Sequence, residues 1–415
     1  MPSRAPRARS STDIVGCIGR ECSRFPRKTT RTEHHDSVGK GRVSAPLTHH
    51  SKQYSSKEAV LAMKKIALSV ALLASSNLYA ADGLEKVRIG FPPAWSAVEA
   101  AIPFGDALGF FKEEGLELEY VSVQGTAVLL PQVANGSVEF GIMSPDLSVI
   151  AAAKDEKFPI QFFYNFYPRN IFEITVLEDS DIKTLSDLKG KKMGVGALSW
   201  GNLPMSRLML GDAGVTWMKD VQVMPVGVGP AAWQRMKSGS VDALNLPAPQ
   251  NVMMEKDGTA IRRLPIPEEF ANLFANGVAT SEQLIQSNPE LVERMGRAIA
   301  KSFVACATDT EKCVKAYWQI DPSSKPDAAN EAKWVDTFSA VNDGTYNMIG
   351  LYDIKENFGQ YNKADWEKFV QKLYEGEQIS TTDFDVETLY TNQFIPGINN
   401  FDAEAVRKTV QQLPN

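Results

Sequence analysis

The sequence predicts an α/β fold of two similar lobes in tandem. Three observations predict it. Candidate strands alternate with candidate helices from Lys86 to Leu246, the pattern of a mainly parallel sheet covered by helices. The segment NGSVEFGIMSPDLSV (Asn135–Val149) nearly recurs as SGSVDALNLPAPQNV (Ser238–Val252), 103 residues later. The segment Lys86-Val87-Arg88-Ile89-Gly90 recurs as Lys192-Met193-Gly194-Val195-Gly196, at an offset of 106. Chance explains one short match; two in the same order at nearly one offset point to a repeated unit. In open α/β sheets the binding crevice lies beyond the carboxyl ends of the strands. Two such lobes enclose a cleft, and hinge closure is the expected motion.

The first 80 residues stand apart from that pattern. Residues 1–62 hold 12 Lys/Arg against 5 Asp/Glu and lack apolar periodicity, so they cannot bury a core and read as disordered. Met63–Ala80, MKKIALSVALLASSNLYA, has two lysines, an apolar run and a small-residue end. That is the pattern of a secretory signal cleaved after Ala80, although Leu78 is larger than the usual residue before such a site. The run is shorter than the roughly 20 residues of a membrane span. Met63 is therefore the expected true start, with residues 1–62 an artefact of start choice. The whole chain carries −6, and residues 1–80 hold 14 Lys/Arg against 5 Asp/Glu, so residues 81–415 carry −15. An acidic exported chain fits the periplasm and argues against nucleic acid. No cysteine follows the signal to take a lipid anchor.

All four histidines (His34, His35, His49, His50) lie in the arm. Their absence from 81–415 excludes Ser-His-Asp and Cys-His catalysis and histidine metal sites. No cofactor and no metal are implied.

The elements follow in order. Strands are expected at 87–91, 116–123, 138–142 and 160–166, and again at 192–196, 221–226 and 241–246. Helices are expected at 96–108, 126–134, 199–210 and 230–236. Ser144-Pro145 reads as an N-cap followed by proline at the first helical position. From Phe270 onward the pattern turns helical, with Leu291, Val292, Met295, Ile299 and Phe303 on one face. That is too much helix for the second lobe alone. The expected organisation is lobe 1 from 81–178, lobe 2 from 179–268, and a return to lobe 1 with C-terminal helices over 269–415.

Two cysteines remain after the signal, Cys306 and Cys313. In one unbroken helix their Cα atoms stand about 10 Å apart, beyond disulfide reach. Thr308-Asp309-Thr310-Glu311 between them is a helix-start signal. One helix ending near Cys306 and another starting near Asp309 make a corner that brings the sulfurs together. A bridge over so short a loop contributes about 2–3 kcal/mol. Two buried free thiols are the alternative.

Several phrases resemble a known family. Ala107-Leu-Gly-Phe-Phe-Lys-Glu-Glu-Gly115 and Gly136-Ser-Val-Glu-Phe-Gly141 are similar to the first lobe of ABC-importer substrate-binding proteins of the nitrate/sulfonate/taurine type. That family includes binders of thiamine-pyrimidine precursors. Ser186–Gly194, Asn288-Pro-Glu-Leu-Val292 and Leu389-Tyr-Thr-Asn-Gln-Phe-Ile395 resemble its other phrases, so the likeness spans 85–395. It implies the two-lobed type II periplasmic-binding-protein fold, with a hinge and a ligand cleft between lobes. A eukaryotic branch makes the thiamine pyrimidine with a cysteine-rich motif and a histidine. This chain has neither, so binding carries over and that chemistry does not.

The resemblance places a ligand at the loops following lobe strands. Here these hold Trp95 and Ser96, Ser144, Ser199-Trp200-Gly201-Asn202, Gly227–Pro230, and Asn245 to Pro247. Helix starts there present free N–H groups and the positive dipole end, an anion site without Lys or Arg. For Ser144, capping and ligand contact stand side by side; for Ser199 the Gly-rich loop favours contact. Trp95 and Trp200 are expected as aromatic walls, and Trp200→Ala is expected to weaken binding with little loss of fold. The run Phe162–Tyr167 is mostly strand core, with Tyr164, Phe166 or Tyr167 candidates for reaching the cleft. Arg169 either pairs with an acidic ligand or is a solvated loop charge. Asp146 either serves its helix dipole or meets an ammonium group.

The resulting expectation is a monomeric periplasmic solute-binding component of an ABC importer. Its expected partners are a small anionic organic ligand (a sulfonate, nitrate-like anion or aromatic acid) and a permease with its ATPase. The alternatives are an enzyme related to thiamine-pyrimidine synthases and a ligand-sensing periplasmic module.

Overall fold

The computed structural model describes residues 83–91, 100–320, 322, 325–348, 350–351 and 356–414. The arm, the leader, and Trp95 and Ser96 lie outside the described residues.

Two five-stranded sheets carry the fold. The first has the order β2-β1-β3-β10-β4, from β1 (Glu85–Phe91), β2 (Leu116–Ser122), β3 (Phe140–Met143), β4 (Ile160–Tyr164) and β10 (Gly277–Ser281). The second has the order β7-β6-β8-β5-β9, from β5 (Phe172–Leu177), β6 (Lys192–Val195), β7 (Gln222–Pro225), β8 (Ala243–Pro247) and β9 (Ile261–Arg263). Position by position the two orders are one plan. β1 pairs parallel with β2 and β3, as β6 does with β7 and β8. In each sheet the fourth position is an antiparallel strand, β10 against β3 and β4, β5 against β8 and β9. β5 precedes the second sheet's parallel strands in sequence, and β10 follows all of them. The chain therefore passes between the lobes twice.

Helices follow the strands: α1 (Ala101–Ala107), α2 (Thr126–Ala134) and α3 (Asp146–Ala152) in the first lobe, α4 (Leu203–Asp212), α5 (Pro230–Lys237) and α6 (Ala248–Lys256) in the second. The C-terminal part adds α7 (Pro289–Thr308), α8 (Thr310–Ile320), α9 (Glu331–Met348), α10 (Lys363–Glu375) and α11 (Ala403–Gln411). Asn288 caps α7 by accepting the Leu291 N–H at 3.2 Å, and Pro289 fills the first position, where its missing N–H is no loss. Leu291, Val292, Met295, Ile299 and Phe303 are all buried on the first-lobe side. Arg297 grips Glu114 through two hydrogen bonds of 3.0 and 3.1 Å, tying α7 to the turn before β2. Further along, α9 packs on α6 and α10 on α4, so C-terminal helices reach the second lobe as well.

Three details depart from the sequence expectation. The crossing into the second lobe comes before β5 (Phe172–Leu177), which belongs to the second sheet, and not at residue 178. The helix expected from Ser199 begins at Leu203, because Ser199–Asn202 is a turn engaged across the lobes and Pro204 suits the first helical turn. The strands β5, β9 and β10 were not legible as strands. They are three to six residues long, and they pair antiparallel with strands distant in sequence.

The corner between α7 and α8 is Asp309, whose carboxylate accepts the Lys312 N–H at 3.0 Å. Cys306 and Cys313 are joined there, with Cα atoms 5.1 Å apart, inside the first lobe's core.

Candidate functional site: the seam between the lobes

The loops that follow the parallel strands of the two lobes meet. From the first lobe come Gln124–Thr126, after β2, and Ser144–Asp146, after β3. From the second comes Gly196–Asn202, after β6, running into α4. The Ala127 N–H donates to the Ser199 carbonyl at 3.2 Å, and the Ser199 hydroxyl donates to the Gln124 carbonyl. At Gly201 the approach is so close that a Cβ would stand 2.7 Å from both Ser144 Cβ and Thr126 Oγ1. Only glycine fits there, its backbone lying against those two side chains.

Asp146 joins this seam from the first lobe. It is 2 % exposed. One carboxylate oxygen accepts the Met205 N–H of the second lobe at 3.2 Å, and the other accepts the Ser144 hydroxyl. Burial pushes its pKa up to about 7, against the pull of the Ser144 hydroxyl and the backbone N–H donors. Behind the seam, the second lobe holds a buried polar cluster. Asn202 Nδ2 donates to Ser206 Oγ and Asn245 Oδ1, both at 3.4 Å, and Asn245 Nδ2 donates to Ser206 Oγ at 3.3 Å. The Gly229 N–H donates to Gln250 Oε1 at 2.8 Å, fixing the loop before α5 to α6. Pro247 sits at the start of α6, partly buried.

Trp200 lies under this surface. It is 7 % exposed, its ring 6.1 Å from that of Phe172. A Cβ on Gly196 would stand 1.9 Å from the indole, so the glycine makes the slot the ring fills. Two buried polar atoms on these loops and one in α3 have no hydrogen-bond partner: Trp200 Nε1, Asn202 Oδ1 and Ser148 Oγ. A polar atom left unpaired in a buried place calls for an explanation.

The structure revises several sequence expectations. Ser144 is not the helix cap: α3 starts at Asp146, with Pro145 before it, and the serine is turned onto Asp146. The Ser199 hydroxyl is committed to Gln124 in this closed arrangement. Tyr164 is stacked on Phe303, ring centroids 6.5 Å apart, inside the first lobe's core, and so are Phe166 and Tyr167. Tyr164 is therefore withdrawn from the seam. Trp200 is too buried to be removed with little loss of fold. Asn245, at 1 % exposure, is one layer beneath the surface. Arg169 is exposed, near Gly350. Thr126, Met205 and Ser206 were missed. The legible clue was polar Asn202, Ser206 and Asn245 inside otherwise apolar runs.

Two like sheets with facing loops and a double crossover define a periplasmic-binding-protein fold. Comparison with known proteins agrees. The NMT1/THI5-like family model matches residues 99–312, and the chain belongs to that family. The alkanesulfonate-binding protein SsuA from Xanthomonas axonopodis pv. citri, solved with MOPS bound, aligns with a TM-score of 0.54 at 17 % identity, covering 74 % of this chain and 98 % of that one. The periplasmic nitrate-binding protein NrtA from Synechocystis PCC 6803 aligns with a TM-score of 0.55 at 13 % identity, covering 80 % and 99 %. The riboflavin-binding protein RibY of Chloroflexus aurantiacus is 21 % identical over 291 residues, 70 % of this chain and 80 % of the relative. All three are binding proteins by name, and the fold is that of ABC-type solute-binding proteins.

Proposed function

We propose that this chain is the extracytoplasmic solute-binding component of an ABC importer, which closes its lobes over a small organic ligand and delivers it to the permease. The observation that carries this reading is the seam: loops after the parallel strands of both lobes meet there, with unpartnered polar atoms beneath. The ligand classes that fit are a sulfonate, a nitrate-like anion or an aromatic acid. The loops 124–127, 143–150, 196–206, 226–230 and 244–250 contain no Lys or Arg. An anionic group would be held there by N–H groups at helix starts. Trp200 and Asn202 would supply a donor and an acceptor beside it. Export through residues 63–80 places the protein in the periplasm, as a monomer. It acts as a carrier and not as an enzyme, consistent with the absence of histidine from 81–415.

A thermal-shift screen of the full chain against alkanesulfonates, nitrate, aromatic carboxylates and pyrimidines tests this. A ligand at about 100 times its Kd adds about 2.7 kcal/mol, and the recovered ligand is chemically unchanged. Stabilisation by none of these classes, or conversion of the one that stabilises, defeats the reading.

A further inference from the structure

We propose that Asp146 is the latch of lobe closure: its carboxyl, carried by the first lobe, caps the amino terminus of α4 in the second, and its protonation sets how firmly the lobes hold. This rests on the reading of the lobes as jaws that open and close, and not on which solute they take.

A helix start leaves its first N–H groups without partners, and a side chain just before the helix usually accepts one of them. In α4 that does not happen. Asn202 stands at the cap position and makes no capping hydrogen bond. Its amide nitrogen is spent on Ser206 and Asn245 instead. The third helical N–H, Met205, is the usual recipient of a cap, and it donates to Asp146 at 3.2 Å, from 59 residues away in sequence. The acceptor is thus supplied by the other lobe, and separating the lobes removes it. Ser144 holds the second carboxylate oxygen and fixes the direction of the first. The contact is flanked by the close approach at Gly201 and by the Ala127–Ser199 hydrogen bond, so it belongs to a continuous seam.

The carboxyl has little help in staying charged. The elements packed around it, residues 121–138, 140–145, 147–153 and 193–206, contain no other ionisable side chain. Arg207, the first on α4, is exposed. The segment after α10 touches α4 through Gln378 and Pro204; Glu377 in that segment and Glu375 at the end of α10 are exposed. The positive end of α4 and three hydrogen bonds, from the Ser144 hydroxyl and the N–H groups of Asp146 and Met205, favour the anion; burial opposes it and wins, raising the pKa to about 7. In opened lobes the carboxyl meets water and titrates near the ordinary value of about 4. The sign follows. Closing takes up a proton between those values, so closure is favoured by acid and weakens as pH rises from about 4 through about 7. The protonated group still accepts from Met205 through its carbonyl oxygen and donates its O–H to Ser144.

Hydrogen exchange at the Met205 amide, read on the full chain with no solute added and corrected for intrinsic exchange, tests the latch. In the wild type, protection of Met205 should fall, by up to about a hundredfold, between pH 5 and pH 8, as the difference of about three between the closed and open pKa values requires. Asp146→Asn keeps an acceptor that cannot titrate, so Met205 should stay protected at both pH values. Asp146→Ala should lose that protection at both, with the amides of β8 unchanged. Wild-type protection of Met205 in Asp146→Ala, or a wild-type pH slope in Asp146→Asn, overturns the proposal. If Asp146→Ala exposes β8 as well, Asp146→Asn decides alone: a flat profile supports the latch and a wild-type slope refutes it. A solute screen that fails leaves these outcomes unaffected.

Discussion

The two lobes share one strand plan and differ at the ends of equivalent strands. Gly90 ends the repeated phrase in β1, and Gly196 stands at its counterpart after β6. Both leave a slot for a side chain, but the occupants differ. A Cβ on Gly90 would meet the Leu129 methyl groups, the nearest at 2.3 Å; on Gly196 it would meet the Trp200 ring at 1.9 Å. The loops after the third strands diverge too. The first lobe offers Ser144-Pro145-Asp146, with a hydroxyl and a buried carboxyl, while the second offers Pro247-Ala248-Pro249, with neither. Backbone repetition builds two frames that face each other. The chemistry of the seam comes from the positions where repetition fails.

The comparison breaks most severely at Trp200. Trp200→Ala should cost about 3 kcal/mol or more in urea unfolding, because a buried indole leaves a large cavity. Leu129→Ala, its counterpart in the first lobe, should cost about 2–4 kcal/mol. An exposed-residue cost of under 1 kcal/mol for Trp200→Ala would show that the ring does not fill the Gly196 slot. Next in size is the Cys306–Cys313 bridge. Cys313→Ser should lower stability by about 2–3 kcal/mol in a first-lobe element that the second lobe lacks. Unfolding that is insensitive to reductant would remove that asymmetry. The two glycines come third. Gly196→Ala should destabilise more than Gly90→Ala, since a rigid ring yields less than the flexible end of a leucine. Equal costs of about 1 kcal/mol would argue that both slots relax alike. The smallest effect on stability is expected at Gly201. Gly201→Val should leave unfolding within about 1 kcal/mol of wild type, since the seam, and no core, must give way, yet it should weaken solute binding at least tenfold.

Much of this plan was legible in the chain. The offset repeat identified the paired parallel strands, and the apolar face from Leu291 to Phe303 identified α7. The helix over 126–134 was readable to the residue, because its apolar spacing is regular and no turn interrupts it. The antiparallel strands β5 and β10 were not, since they are paired by residues far away in sequence and have no local signature. The same distance hid the working of the seam. Ser199, Trp200 and Asp146 were visible as polar or aromatic residues in loops. That Ser199 would bond to Gln124, or Asp146 to Met205, depends on how two lobes approach, which leaves no period in either segment. How deeply Trp200 is buried was hidden for a related reason: the slot that its ring fills is made by Gly196, which leaves no period in the sequence.

The central claim is that solutes are bound at the seam where the lobes close. The most direct test is the thermal-shift screen run in parallel on the wild-type chain and on Gly201→Val, whose new methyl groups prop the seam apart. The account predicts that at least one sulfonate, nitrate-like anion, aromatic carboxylate or pyrimidine raises the Tm of the wild type and leaves Gly201→Val unmoved. An equal rise in both proteins would place the site elsewhere and contradict it.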